Sequence, residues 1–416
     1  MGEKLIYLDN AATSFPKPEA VIQAMTAFMR EVGGNPGRSG HRLSIEAGRV
    51  IFETRERIAA LFGVGDSSRV IFGQNATEAI NLGLKGLLRS GDHVITSSME
   101  HNSVMRPLRA LEKEGLDLTV VPCSREGFLD PAEIQRAIKK NSRMVVLNHA
   151  SNVVGTLLPL EPVGNICRNH GILFMVDAAQ TAGVIPIDLE KEKIDLLAFT
   201  GHKALFGPPG TGGLVIGRRV DEKTLQPLKR GGTGSRSEFE EQPDFLPDLC
   251  ESGTPNGVGL AGLRAGLEFV LGVGIEKIRD HERKLTAGLI QGLLRIPGAL
   301  VYGSGDAEKQ CAVVSLNLEK WVPSELSFRL DEEFGILTRV GLHCAPSAHK
   351  TLGTSPNGTV RLAAGYFTTD KEVEFAIDAI EEIATRKGKA NAQAKAMPKN
   401  ESICKPKKNT PKKGKK

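Results

Sequence analysis

Apolar positions recur along this chain with two different periods. Val21, Ile22, Met25, Phe28, Met29 and Val32 fall three and four apart, the spacing of one helix face, beginning after Pro18. A glycine-bearing stretch, 33–40, separates that segment from a second predicted helix over 44–61. Short apolar runs then predict strands at 70–72, 93–96, 118–121, 144–148, 173–176, 196–199 and 214–216. Amphipathic stretches at 77–88, 104–114, 132–139 and 162–169 lie between several of them. Strands alternating with helices build a largely parallel sheet covered on both faces, so the expected class is α/β.

The pattern changes near residue 255. A long helical segment, 258–293, leads into a strand at 313–318 and a helix at 324–334. A loop over 341–358, a strand at 359–362 and a last helix at 371–386 follow. The expected organisation is a large lobe over 1–255, whose leading segment is free to pack with the second lobe, and a smaller α+β lobe over 256–388. A disordered tail, 389–416, completes it.

Composition narrows the class. Hydrophobic residues make up 40% and charged residues 25%, the balance of an ordinary soluble globular protein. No apolar run approaches the ~20 residues of a bilayer span. The first residues lack the apolar core of a signal peptide and the Arg-rich bias of a transit peptide, so a cytoplasmic location is expected and no membrane partner. Six cysteines occur without a C-x-x-C pair, which argues against a disulfide framework and against a metal site. The net charge of +5 belongs to the tail, where ten lysines and one glutamate leave the preceding residues net acidic. Clustered lysines attract phosphates. Without aromatic residues to stack on bases, however, the tail reads as a solvated appendage and not as a nucleic-acid contact.

In open α/β sheets ligands gather at the carboxyl ends of the strands. Asp177 follows the strand at 173–176, and Thr200, His202 and Lys203 follow that at 196–199. His149 and Asn152 follow the strand at 144–148, and Glu100 and His101 come just after that at 93–96. Taken singly, Asp177 reads equally as a helix N-cap, and any lone cysteine as a small buried hydrophobe. Together they suggest one polar rim. The glycines of 207–213 lack the lysine-bearing arrangement of a nucleotide P-loop.

The run FTGHK from Phe199 to Lys203 resembles the cofactor-lysine motif of the class V aminotransferase superfamily, and of its cysteine desulfurases in particular, in the group related to selenocysteine lyases. LDNAAT (8–13), NATEAIN (75–81), EHN (100–102), SNVVG (151–155), VDAAQ (176–180), SGTPN (252–256) and RVGLHC (339–344) extend the likeness in order along the chain. The resemblance implies the fold type I architecture of pyridoxal 5'-phosphate (PLP) enzymes, with a mainly parallel mixed sheet. It implies that Lys203 holds PLP covalently and moves the substrate's Cα proton, a task to which burial tunes a lysine. Asp177 would keep the pyridine nitrogen protonated, as the cofactor's role of electron sink requires. His101 would stack on the ring. Asn152 and Gln180 would orient the substrate or the ring hydroxyl. Ala76 and Thr77 would hold the phosphate at a helix start, with Thr200 and His202 adding donors. Thr233, in the GTG at 232–234, would reach the phosphate of a neighbouring subunit, which implies a homodimer.

The same resemblance makes Cys344 the nucleophile that takes sulfur from L-cysteine as a persulfide, leaves L-alanine, and passes the sulfur to an acceptor protein. Arg361, with Arg339 nearby, would bind the substrate carboxylate. The residues after Cys344, APSAHKTLG, depart from the pattern of the best-defined iron–sulfur desulfurases. That leaves open a selenocysteine lyase, or another class V lyase or transaminase, in which Cys344 is dispensable. A non-catalytic scaffold is the remaining alternative, against which the intact Asp177, Lys203 and Cys344 argue.

Overall fold

A computed structural model describes residues 5–37 and 40–386. The expected tail, 389–416, lies outside the described residues.

The elements in chain order are β1 (Ile6–Tyr7), α1 (Glu19–Ala27), α2 (Arg42–Leu61), β2 (Val70–Gly73), α3 (Ala76–Leu87), β3 (His93–Ser97), α4 (Asn102–Lys113), β4 (Asp117–Val121), α5 (Pro131–Ala137), β5 (Ser142–Asn148), α6 (Leu160–Asn169), β6 (Leu173–Asp177), β7 (Leu196–Thr200) and β8 (Gly212–Ile216). The second half contributes α7 (Gly257–Val273), α8 (Ile275–Leu294), β9 (Ala299–Tyr302), β10 (Val313–Leu318), α9 (Pro323–Phe334), β11 (Ile336–Leu337), β12 (Arg339–Gly341), α10 (Pro346–Leu352), β13 (Thr359–Ala363) and α11 (Asp370–Thr385).

Seven strands form the central sheet in the order β2-β8-β7-β6-β5-β3-β4. All run parallel except β8, which is antiparallel to both of its neighbours. Along β5, Val145 and Leu147 enter one apolar core and Met144 and Val146 enter another. Successive side chains of a strand point to opposite faces, so the sheet is buried on both. That is why its strands read as continuous apolar runs and not as alternating ones.

The smaller lobe is an antiparallel sheet, β12-β13-β10-β9. Its apolar core draws on α8, α9 and α11. The first strand does not join the large sheet. β1 pairs in parallel with β11, and Asp9 bridges to Ala363 at the end of β13. The next residues cross back, so that Thr13 and Ser14 bond the carbonyls of His202 and Lys203. The leading segment therefore straps one lobe to the other over the carboxyl ends of the central strands.

Two sequence expectations need correction. The helix expected over 258–293 is two helices, α7 and α8, bent by 80° at Gly274, whose φ of 92° only glycine adopts readily. The apolar positions continue smoothly across the break, so periodicity conceals it. The expected loop at 341–358 contains α10. Its signal was present, with proline at the first helical turn and Gly353 in a left-handed conformation just past the end.

Candidate active site

Three strands of the central sheet end at one cavity of about 300 Å³. β5 ends on Asn148, β6 on Asp177 and β7 on Thr200, and all three residues line it. Ala76, Thr77, His101, Asn152, Gln180, His202, Lys203, Arg339 and Arg361 line the same cavity. Eleven of the expected site residues thus share one space.

One wall is the start of α3. Asn75 caps it by accepting from the Glu78 N–H at 3.0 Å, and the next N–H groups of the first turn have no intrahelical partner. β8 passes close behind this cap. A Cβ on Gly212 would meet the Phe199 carbonyl oxygen at 2.7 Å and Asn75 Cα at 2.8 Å, so only glycine brings the strand this near. Around the cavity Thr200 Oγ1, His202 Nδ1 and Asn152 Oδ1 are buried without a partner among the described residues.

His101 begins α4, and its Nδ1 accepts from the Ser103 N–H at 3.0 Å. Burial lowers its pKa to about 4, with Lys203 and Arg339 adding to the effect. The neutral ring, accepting at Nδ1, therefore carries its proton on Nε2. Ser103 Oγ lies 2.7 Å from that Nδ1 and 2.8 Å from Thr77 Oγ1, tying the two helix starts together. Sequence reading missed Ser103, and only its place beside His101 marked it.

Asp177 accepts from the Ala179 N–H at 2.9 Å. Burial raises its pKa, while Ala179 and the Lys203 charge oppose the rise. Lys203 shows the converse: desolvation lowers its amine to about 8 against the pull of Asp177, and Arg361 and Arg339 push it further down.

At the other side Asn152 Nδ2 donates to the His343 carbonyl at 2.6 Å, and its own carbonyl accepts from Arg361 Nη1 at 2.9 Å. Arg361 Nη2 donates to Asp9 Oδ1 at 2.6 Å. Arg361 is thus a buried ion-pair partner with its Nε unpartnered, not a wholly free fork. Asp9, in the LDNAAT run, is thus the anchor of the buried arginine.

Cys344 is exposed and outside the cavity lining, but Arg339, which lines the cavity, donates from Nη2 to its Sγ at 3.8 Å. His343 and Cys344 both have positive φ, 47° and 57°, a region that costs a non-glycine residue about 1–3 kcal/mol. The neighbours hold them there. The Asn102 N–H donates to the Cys344 carbonyl at 2.8 Å, His343 Nε2 lies 3.1 Å from Thr359 Oγ1, and α10 packs Ala348 and Leu352 against Met99 and Val153.

Two expected members of the rim are elsewhere, and Thr233, expected to serve a neighbouring subunit, lies apart from this cavity. His149 is buried against Thr181 Oγ1 at 3.0 Å, and burial lowers its pKa to about 3. Glu100 lies beneath the cavity, accepting from Ser97 Oγ and the Asn148 N–H at 2.6 and 2.9 Å, and burial raises it to about 8. Strand-end position placed both correctly in the chain but could not say that their side chains turn inward. Thr233 lines a separate groove, with Leu228, Lys229 and Glu251.

A lysine and a carboxylate at the carboxyl ends of a doubly covered sheet, below the start of a capped helix, define a class of enzyme. Residues 6–375 match the aminotransferase class-V family, and the chain belongs to that family. Within it the chain stands among the cysteine desulfurases. It is 35% identical to a probable cysteine desulfurase of Methanothermobacter thermautotrophicus, over 91% of this chain and 94% of that one. It is 36% identical to another from Pyrococcus abyssi, over 92% and 95%. A solved apo cysteine desulfurase of Thermococcus onnurineus superposes with a TM-score of 0.86 at 33% identity, covering 91% of this chain and 94% of that one.

Proposed function

We propose that this chain is a PLP-dependent cysteine desulfurase that converts L-cysteine to L-alanine and takes the sulfur as a persulfide on Cys344. The observation that carries the reading is the exposed Cys344 thiol under the guanidinium of Arg339, a residue that lines the cavity with Lys203 and Asp177.

The cavity fits the cofactor. Thr200 Oγ1 and His202 Nδ1 are buried polar atoms in want of partners, beside a helix start that favours a phosphate. Asp177, made costly as an anion by burial, gains from facing a cation such as a protonated ring nitrogen. When bound, PLP supplies an electron sink for charge left on the substrate.

The rest falls to side chains. Lys203 anchors the cofactor, and an amine near pKa 8 can both accept and return a proton close to neutral pH. Neutral His101, with its proton on Nε2, would lie over the cofactor ring. Arg361 Nε and Arg339 meet the substrate carboxylate, and Asn152 couples that end of the cavity to the cysteine loop. At Cys344 an S–S bond forms as the substrate's Cβ–S bond breaks. The proton released by Cys344 is balanced by one gained at Cβ, which becomes the methyl group of alanine. Thr233 would serve the phosphate of the second subunit of a homodimer, and a sulfur-acceptor protein would collect the persulfide at the exposed rim.

Incubation with L-cysteine and mass analysis test this. Alanine should form together with one added sulfur on the Cys344 peptide, and Cys344→Ala should abolish both. Undiminished alanine production by Cys344→Ala would sink the mechanism. Selenocysteine turnover surviving in that variant while cysteine turnover is lost would move the assignment to a selenocysteine lyase.

A further inference from the structure

Lys203, Gln180 and Ala11 line a second space besides the cofactor cavity. It lies in the seam between the lobes and holds about 40 Å³, room for roughly three waters at the ~10–15 Å³ each needs. Lys203 and Glu282, the latter from α8, both line it, together with Cys311 and Tyr366.

Glu282 is only 7% exposed. Among the described residues no hydrogen bond reaches its carboxyl, although its backbone carbonyl accepts from Thr286 Oγ1 at 2.6 Å. Its natural partner is committed elsewhere. The Arg279 guanidinium donates to the carbonyls of Gln310, Ala307 and Glu308 at 2.7, 2.9 and 3.1 Å. Cys311 lines the same space as both titrating groups. A buried carboxyl without a partner is costly unless it is neutral or meets water.

We propose that Glu282 is a proton store for Lys203, reached through water in the rear cavity. This rests on Lys203 being the amine that moves the substrate's protons. The desulfurase balance calls for one proton at Cβ, deep in the site, while the proton given up by Cys344 leaves at the exposed rim. Glu282 lends a proton to the Lys203 amine through water and becomes a carboxylate. It recovers the proton before the next turnover, so no net proton is made or lost. The groups facing it are suited to this. Arg279 is held by carbonyls, Tyr366 is packed by its ring against Phe206 and Phe269, and the Cys311 thiol, pushed up to about 12 by burial, stays neutral. Burial raises Glu282 to about 8 and lowers Lys203 to about 8, bringing the two toward each other, which favours transfer in both directions.

Infrared difference spectra of the full-length holoenzyme, wild type minus Glu282→Gln, read the store directly. The expected result is the carbonyl band of a protonated buried carboxyl at pH 7, bleaching as pH rises through about 8. In kinetics Glu282→Gln should lower kcat about tenfold with KM unchanged, a relay contributing less than the ~10²-fold of direct acid–base catalysis. Wild-type kcat is expected to fall above pH 8. The fall should be shallower in the variant, where Lys203 still titrates, and Glu282→Asp should recover most of the rate. An ionised Glu282 at pH 7, a Gln variant with wild-type kcat, or an Asp variant no better than Gln would each overturn the proposal. If Glu282→Gln does not fold, Glu282→Asp decides, by whether its own carboxyl band is present and titrates. The band is independent of turnover, so an absence of alanine formation would count against the desulfurase reading and not against the store.

Discussion

Arg361 Nη2 and Asp9 Oδ1 meet at 2.6 Å, in an ion pair whose arginine is 1% exposed. The two residues are 352 apart in sequence, and their contact joins the leading strap to β13 of the small lobe. The same arginine holds the carbonyl of Asn152 in the large lobe. Removing one partner of a buried pair strands the other charge and costs about 3–5 kcal/mol. Asp9 is partly open to solvent, so Asp9→Ala should cost near 3 kcal/mol in urea unfolding and raise KM for L-cysteine. An unchanged unfolding midpoint would show that the strap is not held by this pair.

Gly212→Ala should damage the helix start without altering any polar side chain. Its Cβ would press on backbone atoms of Phe199 and Asn75, which cannot swing aside as a flexible side chain could. Overpacking of this kind costs about 1–3 kcal/mol. A lower melting temperature should be accompanied by weaker retention of PLP, measured by dialysis. Retention equal to wild type would mean that the cap tolerates displacement.

Arg339→Gln should slow modification of Cys344 by iodoacetamide. An exposed charge contact is worth about 0.2–1 kcal/mol, so the rate at pH 7 should fall by a factor of roughly 1.4 to 5, read by mass on the Cys344 peptide. The effect should shrink in high salt. A salt-independent loss would point to a change in loop shape instead.

The buried His149 gives a pH signature. Its folded pKa of about 3 lies below the ordinary value of 6.5, so below that value the unfolded chain takes up a proton that the folded one refuses. The stabilisation from burying the neutral ring is therefore present above pH 6.5 and is lost as pH falls toward 3. His149→Gln lacks this term. The difference in urea midpoint between wild type and variant should narrow from pH 7 to pH 4, and a constant difference would contradict the neutral buried ring.

The inner strands of the large sheet were legible because both faces are buried, which writes each one as an apolar run, and the half-buried edge strand β4 was legible from its run at 118–121. The residues at the ends of β5, β6 and β7 were legible for the related reason that a polar group closing an apolar run stands out. His149 and Glu100 show where this stops. They follow strands just as His101 and Asn152 do, and only packing decides which side chains turn toward the cavity. The short strands β1, β9, β11 and β12 were missed because two to four residues carry no measurable period.

The sequence by itself determined the alternation of strands and helices, the lysine and carboxylate that close neighbouring strands, and the cysteine of the RVGLHC loop. Those are local patterns, and local patterns survive without the fold. Only the tertiary structure decided that Asp9 pairs with Arg361, that α10 and Asn102 hold Cys344 in a left-handed conformation, and that Glu282 and Lys203 line one small cavity. Each of these joins residues far apart in the chain, and their proximity is a product of packing that no spacing in the sequence encodes.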